Sequence, residues 1–190
     1  MASSAISRTV NRSIKYLFSG RCLLITNTCS SCALLGLGDF IQQTIGIRIN
    51  RTQTQYDWKR TARFAAMGLV IGPMTHYWYV FLDGTLPGKS LKTVFKKIAC
   101  DQISCPIFSA VYVTGLGVLE GQTLSSAFAE YRRKFITIYT LDWFVWPPCQ
   151  MINFMFLPPQ ARVVYIGCIQ LFYNTCMSYI KHEDWAVGGK

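Results

Sequence analysis

The chain reads as an all-α integral membrane protein: a multi-pass helical bundle of four to five spans with an amphipathic helix at its N-terminus. Three observations predict this. Apolar residues make up 51 % of the 190 residues and charged residues only 15 %, where a soluble domain carries about a quarter charged. The apolar residues gather into segments long enough to cross a bilayer core, and mean hydropathy is +0.25. Polar side chains recur inside those segments at helical spacing, where each needs a partner, because an unpaired polar group in hydrocarbon costs several kcal/mol. The length suits one domain: a basic amphipathic segment at 1–21, a membrane domain at 22–180 and a polar tail at 181–190.

The elements follow in order. Residues 1–21 set Arg8, Arg12 and Lys15 away from an apolar stripe of Ile6, Val10, Ile14, Leu17 and Phe18, and the first acidic residue is Asp39. An acid-free, Arg- and Ser-bearing amphipathic start is the composition of a mitochondrial import signal, and equally that of a helix lying on a membrane surface. Residues 22–45 are the first span; Cys32 and Gly36 give a small-xxx-small spacing, and Asp39, Gln42 and Gln43 close it at the far interface. A polar loop at 46–63 carries Arg48, Arg51, Lys59, Arg60 and Arg63 with Asp57.

Residues 64–82 are the second span, with Gly68 and Gly72 as a G-x-x-x-G pair and Pro73 predicting a kink. His76, Tyr77, Trp78 and Tyr79 read as an interfacial aromatic belt, with His76 a belt or hydrogen-bonding residue rather than a proton relay. A loop at 83–97 holds Lys89, Lys92, Lys96 and Lys97, and the third span runs over 98–119, interrupted early by Pro106. Lys97, Asp101 and Cys105 share a face, which predicts an i,i+4 ion pair at the span's entrance. Residues 120–134 read as a polar connector with a short helix ending in Arg132, Arg133 and Lys134.

The fourth span, 135–157, holds the stretch Asp142–Arg162 around which the chain is organised. Read as a helix, Trp143, Trp146, Pro147, Gln150, Asn153, Phe154 and Leu157 fall on one face, with Asp142 one turn before Trp146. Gln150 and Asn153 read first as interhelical hydrogen-bond glue; the sharper alternative is the lining of a polar path or a partner-docking groove, since intramembrane polar residues are functional candidates by default. Residues 163–180, after Pro158 and Pro159, form a fifth span weakened by Gln170, Asn174 and Thr175. Lys and Arg divide almost evenly between the two sides, so the positive-inside rule is silent on orientation.

The remaining residues exclude several classes. The eight cysteines mostly fall in apolar runs and pack there as small hydrophobes; Cys29 and Cys32 match C-x-x-C without the strand-to-helix context of a redox motif. His76 and His182 are far apart, and no metal-ligand spacing, nucleophile–base pair or phosphate-cradling loop is visible, so neither an enzyme nor a cofactor is expected. A net charge of +10 suits an anionic lipid surface such as cardiolipin, or an anionic partner, through Arg60, Lys92, Lys96, Lys97, Arg132 and Arg133. Direct nucleic-acid binding is not expected, because no basic stripe interleaves with exposed aromatics.

Several of these segments, spanning roughly Gly20 to Tyr179, resemble the Mpv-17 and peroxisomal-membrane-protein family of small integral membrane proteins. The resemblance rests on Gly38-Asp39 with Gln42; Asp57, Arg60 and Arg63; Gly72-Pro73 with His76, Trp78 and Tyr79; Asp101-Gln102 with Pro106; and Glu120-Gly121. Its most specific part is Trp146-Pro147, Gln150, Asn153-Phe154, Pro158 or Pro159, and Arg162, closing at Ser178-Tyr179. Tyr173-Asn174 stand where the family pattern favours a tryptophan, which bears on packing in the last span. The resemblance implies the mitochondrial inner membrane in preference to the peroxisomal membrane, and no enzyme activity.

Within the family, Gly20-Arg21 leading into Thr26-Asn27-Thr28, together with Leu119-Glu120-Gly121-Gln122-Thr123, look most like a branch linked to mitochondrial ribosome assembly and translation. Two functions are therefore carried forward. The favoured one is a membrane platform whose basic loops engage the large ribosomal subunit. The other is a channel or transporter serving metabolite and nucleotide homeostasis and mitochondrial DNA maintenance, with Asp39, Asp101, Asp142, Gln150 and Asn153 as in-membrane polar groups and Arg63, His76, Trp146 and Arg162 at its path or helix interfaces. A homo-oligomer is compatible with either.

Overall fold

The computed structural model describes residues 16–18, 20, 22–48 and 54–173. Four long helices dominate: α1 (Leu23–Arg48), α2 (Trp58–Thr85), α3 (Leu91–Leu119) and α4 (Leu124–Phe156). A short 3-10 turn, Pro159–Ala161, leads into α5, helical over 162–173. No strand occurs among the described residues. The N-terminal amphipathic segment up to Lys15, Arg51, and everything after Tyr173 lie outside the described residues.

The helices begin earlier than the apolar segments do. Each polar connector supplies its own N-cap: Asp57 accepts from the Arg60 backbone N–H at 3.0 Å, Ser90 from Thr93 at 3.3 Å and Thr123 from Ser126 at 3.3 Å. The basic residues that follow these caps are good helix formers. The expected loops at 46–63 and 83–97 are therefore shorter than hydropathy suggests. The expected connector at 120–134 is mostly the first turns of α4, which runs unbroken for 33 residues. Gly88 and Gly121, at φ +100° and +95°, make the turns into α3 and α4 in the left-handed region open to glycine.

α1 and α2 pack as an antiparallel hairpin at very close range. A Cβ on Gly68 would stand 2.4 Å from the Cα of Cys32, and one on Gly72 2.8 Å from the Cα of Thr28. The expected G-x-x-x-G pair thus does what small residues do in a bilayer, letting two backbones touch. Gly36 meets the Ala65 side chain in the same seam, at 3.3 Å from its notional Cβ.

α3 and α4 form a second antiparallel hairpin. Near its turn, a Cβ on Gly117 would lie 2.8 Å from Ala127 Cβ. Farther along, the Tyr131 hydroxyl donates to the Pro106 carbonyl at 2.8 Å. α5 packs against the first hairpin where Gly167 lies under Leu34.

The distribution of side chains is inverted relative to a protein folded in water. Ile103, Phe144 and Ile136 are 76 %, 76 % and 72 % exposed, while Asp39, Asn153, Asp142 and Gln43 are at most 1 % exposed. Large apolar side chains face outward from every long helix, and amides and carboxylates face one another inside. Lipid is the solvent that such a surface fits. α1 and α3 are long and apolar enough to cross a bilayer on composition alone. At about 1.5 Å per residue, α3 and α4 exceed the ~30 Å hydrocarbon core, so their polar ends extend past it.

Candidate functional site

The two hairpins meet through polar side chains at a central site, with one ion-pair cluster where α2, α3 and α5 meet and another inside the first hairpin. At the centre, Asp101 on α3 accepts Trp78 Nε1 at 2.8 Å on Oδ1 and Gln150 Nε2 at 2.7 Å on Oδ2. Gln150 Nε2 also reaches the Tyr79 hydroxyl at 2.9 Å, and its Oε1 accepts Asn153 Nδ2 at 2.7 Å. A second carboxylate, Asp142 on α4, accepts Trp146 Nε1 at 3.0 Å and the Tyr173 hydroxyl at 2.7 Å, both on Oδ1. Its Oδ2 is buried with no hydrogen-bond partner.

Asp101, Asp142, Gln150, Trp146, Tyr79 and Tyr173 all border one cavity of about 100 Å³. Volume on that scale holds about three waters or a small ion. Among the described residues, no group of three or more His, Cys, Asp or Glu side chains is arranged to hold a metal ion.

On one flank, Arg162 Nη1 contacts both Asp83 oxygens, at 2.6 and 2.5 Å, and Lys97 Nζ contacts Oδ1 at 2.6 Å. Both cations also face the Phe154 ring, 5.4 Å (Lys97) and 5.2 Å (Arg162) from its centroid, a favourable cation–π arrangement away from water. On the other flank, Asp39 is fully buried and meets Arg60 Nε, Thr61 Oγ1 and Gln43 Nε2, each at 2.7 Å. Arg60 Nη2 also donates to Gln42 Oε1 at 2.9 Å.

Residues 117–178 match the Mpv17 / PMP22 family. PXMP2/4 family protein 4 of Dictyostelium discoideum is 33 % identical over 156 residues, covering 80 % of this chain and 83 % of that one. The chain belongs to the Mpv17 / PMP22 family. The mitochondrial inner membrane protein Mpv17 of Caenorhabditis briggsae is 32 % identical over 159 residues (82 % and 84 % covered), and that of Rattus norvegicus 29 % over 153 (80 % and 86 %). Like them, this Mpv17-family chain is a protein of the mitochondrial inner membrane. No solved structure matches it.

The sequence expectations for the family member's site divide accordingly. Asp101, Asp142, Trp146 and Gln150 come together at the cavity, with Asn153 bonded behind Gln150. Asp39 and Arg162 belong to the flanking clusters. His76 Nδ1 pairs with the Asn27 side-chain amide at 3.0 Å on the α1–α2 seam, a hydrogen-bonding role. Arg63 is half-buried on α2 and, among the described contacts, joins none of the three groups.

Five expectations need correction. Lys97 does not pair with Asp101; it reaches the helix end to meet Asp83, leaving Asp101 to neutral donors deeper in the bundle. Lys97 is 2 % exposed, so it is no surface residue for a partner or lipid, and Arg60 is largely turned inward to Asp39; Lys92, Lys96, Arg132 and Arg133 remain outward. Trp143 leaves the polar face of α4 and is 54 % exposed, because it sits about 100° around the helix from Asp142. Of the expected aromatic belt only Tyr77 faces out; Trp78 and Tyr79 turn inward as hydrogen-bonding groups. Among the described cysteines only Cys105 is buried, and Cys29 and Cys168 sit on the outer surface.

Asp83 and Tyr173 were not singled out for the site by sequence. Asp83 closes an apolar run and reads as an ordinary helix-end acid. Its one distinguishing signal is that Arg162 has no acid near it in the sequence.

Proposed function

We propose that this chain is a non-enzymatic inner-membrane protein whose four long helices cross the bilayer and whose polar centre forms part of a path for a small solute. The observation that carries this reading is the cavity between the hairpins, bordered by two carboxylates that pair with no basic side chain among the described residues. Prolines lie inside the helices beside it, Pro106 in α3 and Pro147 and Pro148 in α4, without breaking either helix. Each proline removes a backbone donor and frees a carbonyl four residues earlier, which is tolerated at membrane depth only against protein or water. The test is conductance of the purified protein in planar bilayers. Wild-type protein passes current, and Asp142→Asn and Gln150→Leu change its size or ion preference. Currents identical in all three proteins assign those residues to packing.

A second reading has its own support. Lys89, Lys92 and Lys96 are exposed beside the α2–α3 turn, and Arg132 and Arg133 are exposed on α4. These surfaces suit anionic headgroups such as cardiolipin, or an acidic partner, and the branch resemblance supports reading that partner as the large subunit of the mitochondrial ribosome during assembly and translation. Sedimentation of gently solubilised mitochondria with and without ribonuclease tests it. Co-migration with the large particle that is lost in salt and in the Lys92→Glu, Lys96→Glu variant supports the platform. Migration only as a small detergent-bound oligomer removes it.

A further inference from the structure

Among the described residues, the other carboxylates set between helices have cations against them: fully buried Asp39 faces Arg60, and half-buried Asp83 faces both Lys97 and Arg162. No described cation pairs with Asp101 or Asp142. Their described donors are two indoles, one amide and one phenol, with the Cys105 thiol also beside Asp142, all neutral. Asp142 is 1 % exposed and lines the cavity; its Oδ1 takes the bonds from Trp146 and Tyr173, and its Oδ2 has no hydrogen-bond partner among the described residues. Burying a carboxylate without a counter-charge is unfavourable, and this chain, at net +10, has cations to spare elsewhere.

We propose that Asp142 and Asp101 form a binding site for one small monovalent cation, sodium or potassium, held in this cavity by carboxylate and hydroxyl oxygens. The proposal rests on the solute-path reading above and names the class of solute. The donor set is made of oxygens, including the hydroxyls of Thr75 and Tyr79 at the same cavity, and hard cations take oxygen ligands. A cavity of about 100 Å³ has room for one such ion with a few waters. Magnesium demands near-ideal octahedral geometry, which two carboxylates on separate helices do not preset.

The experiment melts the purified protein in detergent at constant ionic strength, with choline replaced stepwise by sodium or potassium. A ligand that binds only the folded state raises Tm with its concentration, and occupation at a hundred times Kd corresponds to a rise of roughly 5–10 °C for a chain of this size. The expected result is a saturable rise in wild type that Asp142→Asn abolishes. The asparagine keeps an Oδ1 acceptor for Trp146 and Tyr173; should that variant not melt cooperatively in choline, Asp101→Asn is read in its place.

No rise in wild type over choline overturns the site, even if the protein conducts. A rise with magnesium alone, or an equal rise in the variants, overturns it as well. A saturable rise lost in the variants, in a protein that passes no current, keeps the cation site and removes the solute path.

Discussion

Gln150 and Asp101 lie 49 residues apart and meet through a 2.7 Å hydrogen bond that joins the two helices of the second hairpin. The same amide nitrogen reaches Tyr79 on α2, so one side chain ties three helices together. Gln150→Leu removes both bonds, leaves Asn153 Nδ2 without its acceptor and strips a donor from a buried carboxylate. We expect a loss of about 1–3 kcal/mol, the penalty of stranding buried polar groups. Thermal unfolding in detergent measures it, and a loss below about 0.3 kcal/mol would show that the amide is dispensable to the fold.

Glycine substitutions separate close packing from backbone effects. Gly68→Ala places a methyl 2.4 Å from backbone atoms of Cys32, which cannot swing aside as a side chain can. Overpacking of this kind costs about 1–3 kcal/mol. Gly84→Ala, with nothing within 4 Å of its new Cβ, should be neutral or stabilising by up to about 1 kcal/mol through helix propensity. Opposite signs in paired melts are the expected outcome, and a neutral Gly68→Ala would contradict the α1–α2 seam.

The helical membrane class and the polar residues of the centre were legible in the sequence, because lipid makes every intramembrane amide or carboxylate conspicuous. Gln150, Asn153, Asp101 and Asp142 stand out against their neighbours whatever they bond to. Their partners were not legible. Lys97 has an acid four residues on, and local spacing pairs them, yet Asp83 from another helix takes the lysine. Trp78 and Tyr79 read as a belt because aromatic runs commonly mark an interface, and only the docking of α3 and α4 turns them inward. Helix starts were hidden for a similar reason: Asp57, Ser90 and Thr123 act as caps inside stretches whose charge reads as loop.

The Asp83 cluster predicts an ordering among charge variants. Asp83→Ala leaves Lys97 and Arg162, both 2 % exposed, facing each other without an anion. Stranding buried charge of this kind is strongly destabilising, and because Asp83 is itself 26 % exposed at the side chain we expect about 2–4 kcal/mol. Lys97→Met removes one cation and leaves Arg162 on both carboxylate oxygens, so its loss should be smaller. Lys92→Glu with Lys96→Glu, on the exposed side of the same helix, should stay within about 0.5 kcal/mol. Chemical denaturation of the three proteins gives the order, and a surface variant as costly as Asp83→Ala would contradict the inward placement of Lys97.

The opposite flank allows a direct measurement of coupling. Asp39 is fully buried, and among the described residues Arg60 is its one cation, at 2.7 Å. Arg60→Met strands the carboxylate among Thr61 and Gln43, while Asp39→Asn leaves a neutral group that both still reach. Contacting charged groups are non-additive, and here the double variant should be less destabilised than the sum of the single ones by about 1–3 kcal/mol. That excess arises because Arg60→Met is harmful chiefly through the charge it leaves behind, and Asp39→Asn has already removed that charge. A double-mutant cycle on unfolding free energies measures it. Strict additivity would mean that water reaches Asp39 freely, contrary to its burial between α1 and α2.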